Sequence, residues 1–103
     1  MWAQLIQFRL KPGADTAELI AQIRAAEQPG SGLVRSLFMR DQADPSRLLT
    51  LVVFESEAKA RAREQDPRRE ERLAVARSMM AETFEGSPEF TDLQVVDEWT
   101  GST

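Results

Sequence analysis

The segment Trp2 to Leu10 alternates as a strand does, with Trp2, Ile6, Phe8 and Leu10 on one side and Ala3, Leu5, Gln7 and Arg9 on the other. Lys11-Pro12-Gly13 stops it. The period then changes to that of a helix, opened by Asp15 as N-cap with Glu18 three residues on as its capping-box partner and carried by the stripe Leu19, Ile20, Ile23, Ala26. Pro29-Gly30-Ser31-Gly32 ends the helix and leads into a strand from Leu33 to Arg40, a turn over Asp41 to Ser46, and an antiparallel return from Arg47 to Phe54. Ser56 caps a short helix near 56–65, supported by an i,i+4 pair of Glu57 and Arg61. Asp66-Pro67 reads as a cap followed by a first-turn proline, so a new helix runs from 67 to about 84 on a stripe of Leu73, Ala76, Met80 and Phe84, widened by Val75 and Met79. The run Arg68-Arg69-Glu70-Glu71-Arg72 on its opening turns reads as a solvated face. Gly86 and Pro88 end this helix, and Leu93 to Trp99 is the last strand.

The order β-α-β-β-α-β predicts an α+β, ferredoxin-like fold: an antiparallel sheet with its helices on one face. The strand Leu48-Leu49-Thr50-Leu51-Val52-Val53-Phe54 is apolar on both faces, whereas a strand with one wet face should alternate. One helical layer covers one face only. A second copy of the same sheet is the simplest cover for the other, which predicts a homodimer.

Composition narrows the chemistry. The 103 residues, 42% of them hydrophobic, suffice for one domain, folded over 1–100 with 101–103 as a frayed tail. The sequence contains no Cys, His, Tyr or Asn. Thiol chemistry, Cys/His metal sites, imidazole acid–base work and histidine haem ligation are therefore excluded, and no cofactor is expected. With 17 Asp and Glu against 13 Lys and Arg, the chain lacks the basic surplus that nucleic acid would need. No segment has the length and apolarity of a membrane span or of a signal peptide, so a cytoplasmic protein is expected.

The segments Trp2-Ala3-Gln4-Leu5-Ile6-Gln7-Phe8-Arg9, Leu51-Val52-Val53-Phe54-Glu55-Ser56-Glu57-Ala58 and Leu93-Gln94-Val95-Val96 together resemble the antibiotic biosynthesis monooxygenase-like family of the dimeric α+β barrel superfamily. The resemblance spans nearly the whole chain. It implies two protomers pairing their sheets into an eight-stranded barrel, each keeping a small apolar pocket between sheet and helices. It also implies activities ranging from cofactor-free oxidation of aromatic polyketides to haem degradation. Those reactions use Asn, Trp and Tyr, or His with Asn and Trp. Here Asn, Tyr and His are missing, and Trp2 and Trp99 stand at the outer ends of the first and last strands.

Phe8, Phe38, Met79, Met80, Phe84 and Trp99 are the candidates for lining such a pocket, with core packing as the competing fate. Trp2 and Trp99 could also stack on a planar substrate or pack at a dimer interface. Arg9, Arg35 and Arg40 are strand residues able to grip a carboxylate or enolate, and Arg35 joins the substrate-binding set. Asp97 and Glu98, as strand neighbours, point to opposite faces and cannot act as a pair. No catalytic residue and no metal ligand is assigned. Three readings follow: a binder of a small apolar or aromatic molecule whose catalytic set is lost or replaced, a cofactor-independent monooxygenase on a polycyclic or quinol-type substrate, and a ligand-sensing or dimerisation module.

Overall fold

The computed structural model describes residues 1–101; of the expected tail, 102 and 103 lie outside the described residues. Seven elements follow one another: β1 (Trp2–Leu10), α1 (Thr16–Ala25), β2 (Leu33–Arg40), β3 (Arg47–Phe54), α2 (Glu57–Glu64), α3 (Pro67–Thr83) and β4 (Phe84–Gln94). The strands form one sheet in the order β2-β3-β1-β4 with every neighbouring pair antiparallel, which is the expected ferredoxin-like arrangement. No helix is long and apolar enough to cross a membrane among the described residues.

Each helix starts where a short polar side chain replaces its missing amide partner. Asp15 Oδ1 accepts from the Ala17 amide at 3.0 Å, Ser56 Oγ from that of Lys59 at 3.2 Å and Asp66 Oδ1 from that of Arg68 at 2.9 Å. Pro67 occupies the first turn, where it has no hydrogen bond to lose. The capping box at α1 is only half formed. Glu18 does not reach back to the cap, because its carboxylate accepts from the Gln22 side chain one turn further on, at 3.0 Å. The turn between β2 and β3 is built by two aspartates: Asp41 Oδ1 accepts from the amides of Ala43 and Asp44, and Asp44 Oδ1 from the amide and hydroxyl of Ser46.

The helices all pack on the sheet face that carries the even-numbered residues of β1 and β3. Leu10, Leu48 and Phe84 meet Leu19 and Ala26 from the α1 end and Leu73 and Ala76 of α3 in the larger core cluster; Trp2, Val52 and Phe54 meet Ala60 of α2 in the smaller. Arg61 ties α2 to the sheet edge through Asp92 of β4 at 3.0 Å, its guanidinium 5.1 Å from the centre of the Trp2 ring. Gly32 allows α2 to sit close. Its φ is +83°, and a Cβ there would lie 2.6 Å from Lys59 Cδ.

The second half of the chain departs from expectation at three points. Phe84 is extended, not helical, and begins β4 directly after α3. Gly86 and Pro88 do not end the helix; they lie inside the strand. Between Gln7 and Arg9 of β1, the partner residues on β4 run from Glu89 to Glu85, so β4 carries extra, unpaired residues there. A bulge on an edge strand is where a glycine at φ +69° and a proline without an amide proton cost least. The last strand accordingly ends at Gln94, and 95–100 continue without regular structure. Val75, assigned to the buried stripe, is 55% exposed, because the sheet-facing side of α3 follows Leu73, Ala76 and Met80.

Leu19 is the most completely buried large side chain, at 1% exposure, so Leu19→Ala should cost about 2–5 kcal/mol. Val75→Ala should change stability by no more than about 0.5 kcal/mol. Urea denaturation of the two variants checks the assignment of faces; equal losses would contradict it.

Candidate functional site

Between the sheet and the helices runs a cleft with two adjoining chambers. One, of about 460 Å³, is lined by Trp2, Gln4 and Ile6 of β1, Phe54 of β3, Ala60 of α2 and Phe90 of β4, among others. The other, the inner chamber, of about 240 Å³, lies between the sheet and α1 and α3 and is lined by Phe8, Phe38, Thr50, Leu73 and Met80, among others. Ile6, Val52, Arg63 and Arg69 belong to both walls. The sheet wall follows from strand alternation: even-numbered side chains of β1 and β3 all face the helices.

Of the residues singled out from sequence, the structure brings Phe8, Phe38 and Met80 together on the wall of the inner chamber. Phe84 is buried behind them, stacked on Phe8 with ring centroids 4.2 Å apart, and Met79 packs half-buried on the same core. Arg35 pairs in register with Val53 and so shares the helix-free face of the sheet with Leu37 and Met39. Trp99 lies beyond the end of β4, is 84% exposed and lines neither chamber. The other strand arginines are engaged elsewhere: Arg9 donates to Ser46 and Asp44 at the β2–β3 turn, and Arg40 to Thr16 Oγ1 at the start of α1. Asp97 and Glu98 are exposed beyond the last strand, where Asp97 Oδ1 accepts from the Glu98 amide.

The charged wall comes from α2 and α3. Arg63 is clamped by Glu27, with Nη2 2.7 Å and Nε 3.1 Å from Glu27 Oε2, and its guanidinium lies 5.2 Å from the Phe54 ring centre. Arg77 forms two hydrogen bonds to Glu70, at 2.6 and 2.8 Å. Arg69 sits between them, half-buried, with no hydrogen bond or ion pair to any described residue. Burial pushes its guanidinium below the usual arginine range, and the neighbouring charge of Arg63 adds to this.

Arg69 is the correction to the solvated charge run. Counting back one turn from Leu73 puts position 69 on the sheet-facing side, and counting forward places Arg77 and Met80 there too. Extending the apolar stripe backwards through the charged residues was the available signal. Trp2, read as an edge or interface residue, is instead buried against Phe54, with ring centroids 6.1 Å apart. No group of three or more acidic side chains that could hold a metal ion comes together among the described residues.

Burial acts to raise the Glu27 carboxyl, but hydrogen bonds from Arg63 and Ser31 and the charge of Arg63 outweigh it, leaving the group below its ordinary value of 4.5. A carboxyl lowered on folding stabilises the protein above its unfolded pKa, and this contribution disappears as the pH falls through the folded value. Glu27→Gln should therefore cost about 1 kcal/mol at neutral pH, allowing for solvent screening. The gap to the parent protein should narrow towards zero as the pH falls below about 4. Urea unfolding at a series of pH values checks this; a gap independent of pH would contradict it.

No protein-family model matches the sequence, and no curated protein matches it either. Solved structures do. A protein assigned as an antibiotic biosynthesis monooxygenase from Chloroflexus aurantiacus is 21% identical, over 98% of this chain and 100% of that one, with a TM-score of 0.65. SnoaB, a cofactor-independent oxygenase from Streptomyces nogalater solved as an asparagine-to-alanine variant, is 15% identical over 94% of each chain, with a TM-score of 0.71. A protein of unknown function from Nitrosomonas europaea is 16% identical over 99% of this chain and 95% of its own, with a TM-score of 0.72. Likeness over whole chains at such low identity establishes architecture. The chain has the fold of the antibiotic biosynthesis monooxygenase-like proteins.

Proposed function

We propose that this chain is a homodimeric protein that binds a small apolar or aromatic molecule in the cleft between sheet and helices. The observation that carries this reading is the cleft itself: two adjoining chambers walled by Trp2, Phe54, Phe90, Phe8, Phe38 and Met80. The dimer rests on the opposite face of the sheet. There Leu5 stands beside Leu51, Leu51 beside Leu37, Leu49 beside Met39 and Ala3 between Val53 and Leu93. Leu37 and Met39 are 42% and 40% exposed in the single chain. A contiguous apolar sheet face of this kind is costly in water, and a second copy of the same face covers it by a two-fold operation.

A second reading, that of a cofactor-independent oxygenase, is favoured by the likeness to SnoaB. In that reading an acidic polycyclic or quinol-type substrate supplies its own carbanion. The cleft contributes orientation, exclusion of water and positive charge beside the developing anion. The chamber walls contain no histidine or tyrosine, and their one carboxylate, Glu64, is paired with Arg61 at 3.3 Å.

Native mass spectrometry of freshly purified protein should show a dimer carrying up to two retained small molecules. A monomer at micromolar concentration would overturn the assembly. Leu37→Asp should convert the dimer to a monomer with unchanged helix and strand content by circular dichroism. Oxygen uptake with a panel of anthrones and hydroquinones separates the two readings: turnover establishes the oxygenase, and its absence across the panel leaves the binder.

A further inference from the structure

The cleft holds two polar groups that the rest of the protein leaves unanswered. Arg63 and Arg77 each have a carboxylate partner, whereas Arg69, on the wall common to both chambers, forms no hydrogen bond or ion pair with any described residue. On the sheet wall of the inner chamber, Thr50 is 3% exposed, and its buried Oγ1 makes no hydrogen bond. Such groups are uncommon for a physical reason. A buried hydroxyl left without a partner keeps its full desolvation cost, and a half-buried guanidinium whose neighbouring carboxylates, Glu27 and Glu70, are hydrogen-bonded to other arginines adds to it. Arginine does not escape by losing its proton.

The surroundings make the pair specific. Around Thr50 in the inner chamber, the side chains of Ile6, Phe8, Phe38, Val52, Leu73 and Met80 offer no donor or acceptor, and the Ser36 hydroxyl on the same wall does not hydrogen-bond Thr50 Oγ1. A partner for Arg69 that leaves the Glu27–Arg63 and Glu70–Arg77 pairs intact is an anion entering from outside, and the apolar walls suit a hydrophobic body behind it. A planar guanidinium favours an anion with two oxygens, or one oxygen of a delocalised enolate.

We infer that the cleft is built for an aromatic acid, its carboxylate or enolate oxygen held by Arg69, its ring system against the aromatic walls, and a second oxygen hydrogen-bonded to Thr50 Oγ1. This rests on the reading of the cleft as a ligand site and adds the charge and polar pattern of the ligand. Arg69 is then a residue kept at the expense of stability, since it gains its partner only on binding.

Isothermal titration calorimetry of the whole protein with 2-naphthoate and its neutral analogue 2-naphthamide, at neutral pH, tests the inference. Naphthoate should bind about tenfold to a hundredfold more tightly than the amide, as a charge-assisted hydrogen bond would produce. Arg69→Met should abolish that preference by weakening naphthoate far more than the amide, and Arg69→Lys should keep part of it. Thr50→Val should weaken naphthoate several-fold. In urea denaturation without ligand, Arg69→Met should raise the midpoint, whereas an arginine with a structural role would lower it. Equal binding of acid and amide, or a preference that survives Arg69→Met, overturns the inference and leaves the cleft as a neutral apolar site. Failure of both probes to bind overturns the reading of the cleft and the inference with it.

Discussion

The apolar character of both faces of β3 is the constraint on which the rest of the structure depends. This strand is interior to the sheet, between β2 and β1, and has apolar side chains at nearly every position. Leu48, Thr50, Val52 and Phe54 are buried under the helices, and Leu49, Leu51 and Val53 line the open face. A shift of one residue in its pairing would exchange the two sets and set Thr50 on the open face in place of a leucine. Register therefore decides both which residues wall the cleft and which stand on the open face. The Asp41 and Asp44 turn at one end and, near the other, the hydrogen bond from the Glu55 amide to the Gly32 carbonyl, 2.9 Å, hold that register in place.

What could be read from the sequence, and what could not, divides along the same physical line. Caps and turns are local: Asp15, Ser56, Asp66 and the aspartates after β2 act on amides two or three residues away, so their types and positions suffice to place them. Alternation in β1 and β3 is likewise local and placed Phe8 in the cleft. Gly86 and Pro88 behave otherwise. Their backbone preferences fit a helix stop and an edge bulge equally well, and the pairing of β4 with Leu10 through Trp2 selects the bulge. Trp99 was misplaced in consequence, because a strand thought to start at Leu93 had already run most of its length by then.

Arg69 shows a different limit. Its neighbours Arg68, Glu71 and Arg72 point to solvent, and composition alone assigns it to them. Only the helical phase, continued from Leu73, separates it from the run. Glu27 was missed for a related reason. It follows α1, and the Arg63 that holds it lies thirty-six positions along the chain, so no local spacing announces the pair. The polar half of the cleft is assembled from α2, α3 and the end of α1, while its apolar half comes from single strands. Apolar walls were therefore legible and charged ones were not.

The cleft and the open face divide the requirements of the molecule between two sides of one strand. Beyond Arg47, the odd-numbered side is apolar at Leu49, Leu51 and Val53 and suits a surface of like character. The even-numbered side is apolar except at Thr50, facing helices that bring three arginines and carboxylate partners for two of them. If the cleft were merely an imperfectly filled core, a hydrophobic residue at position 69 would be the more stable solution, since a half-buried guanidinium with no hydrogen-bonded carboxylate keeps much of its desolvation cost. The guanidinium at that position is therefore better explained by what enters the cleft than by what surrounds it.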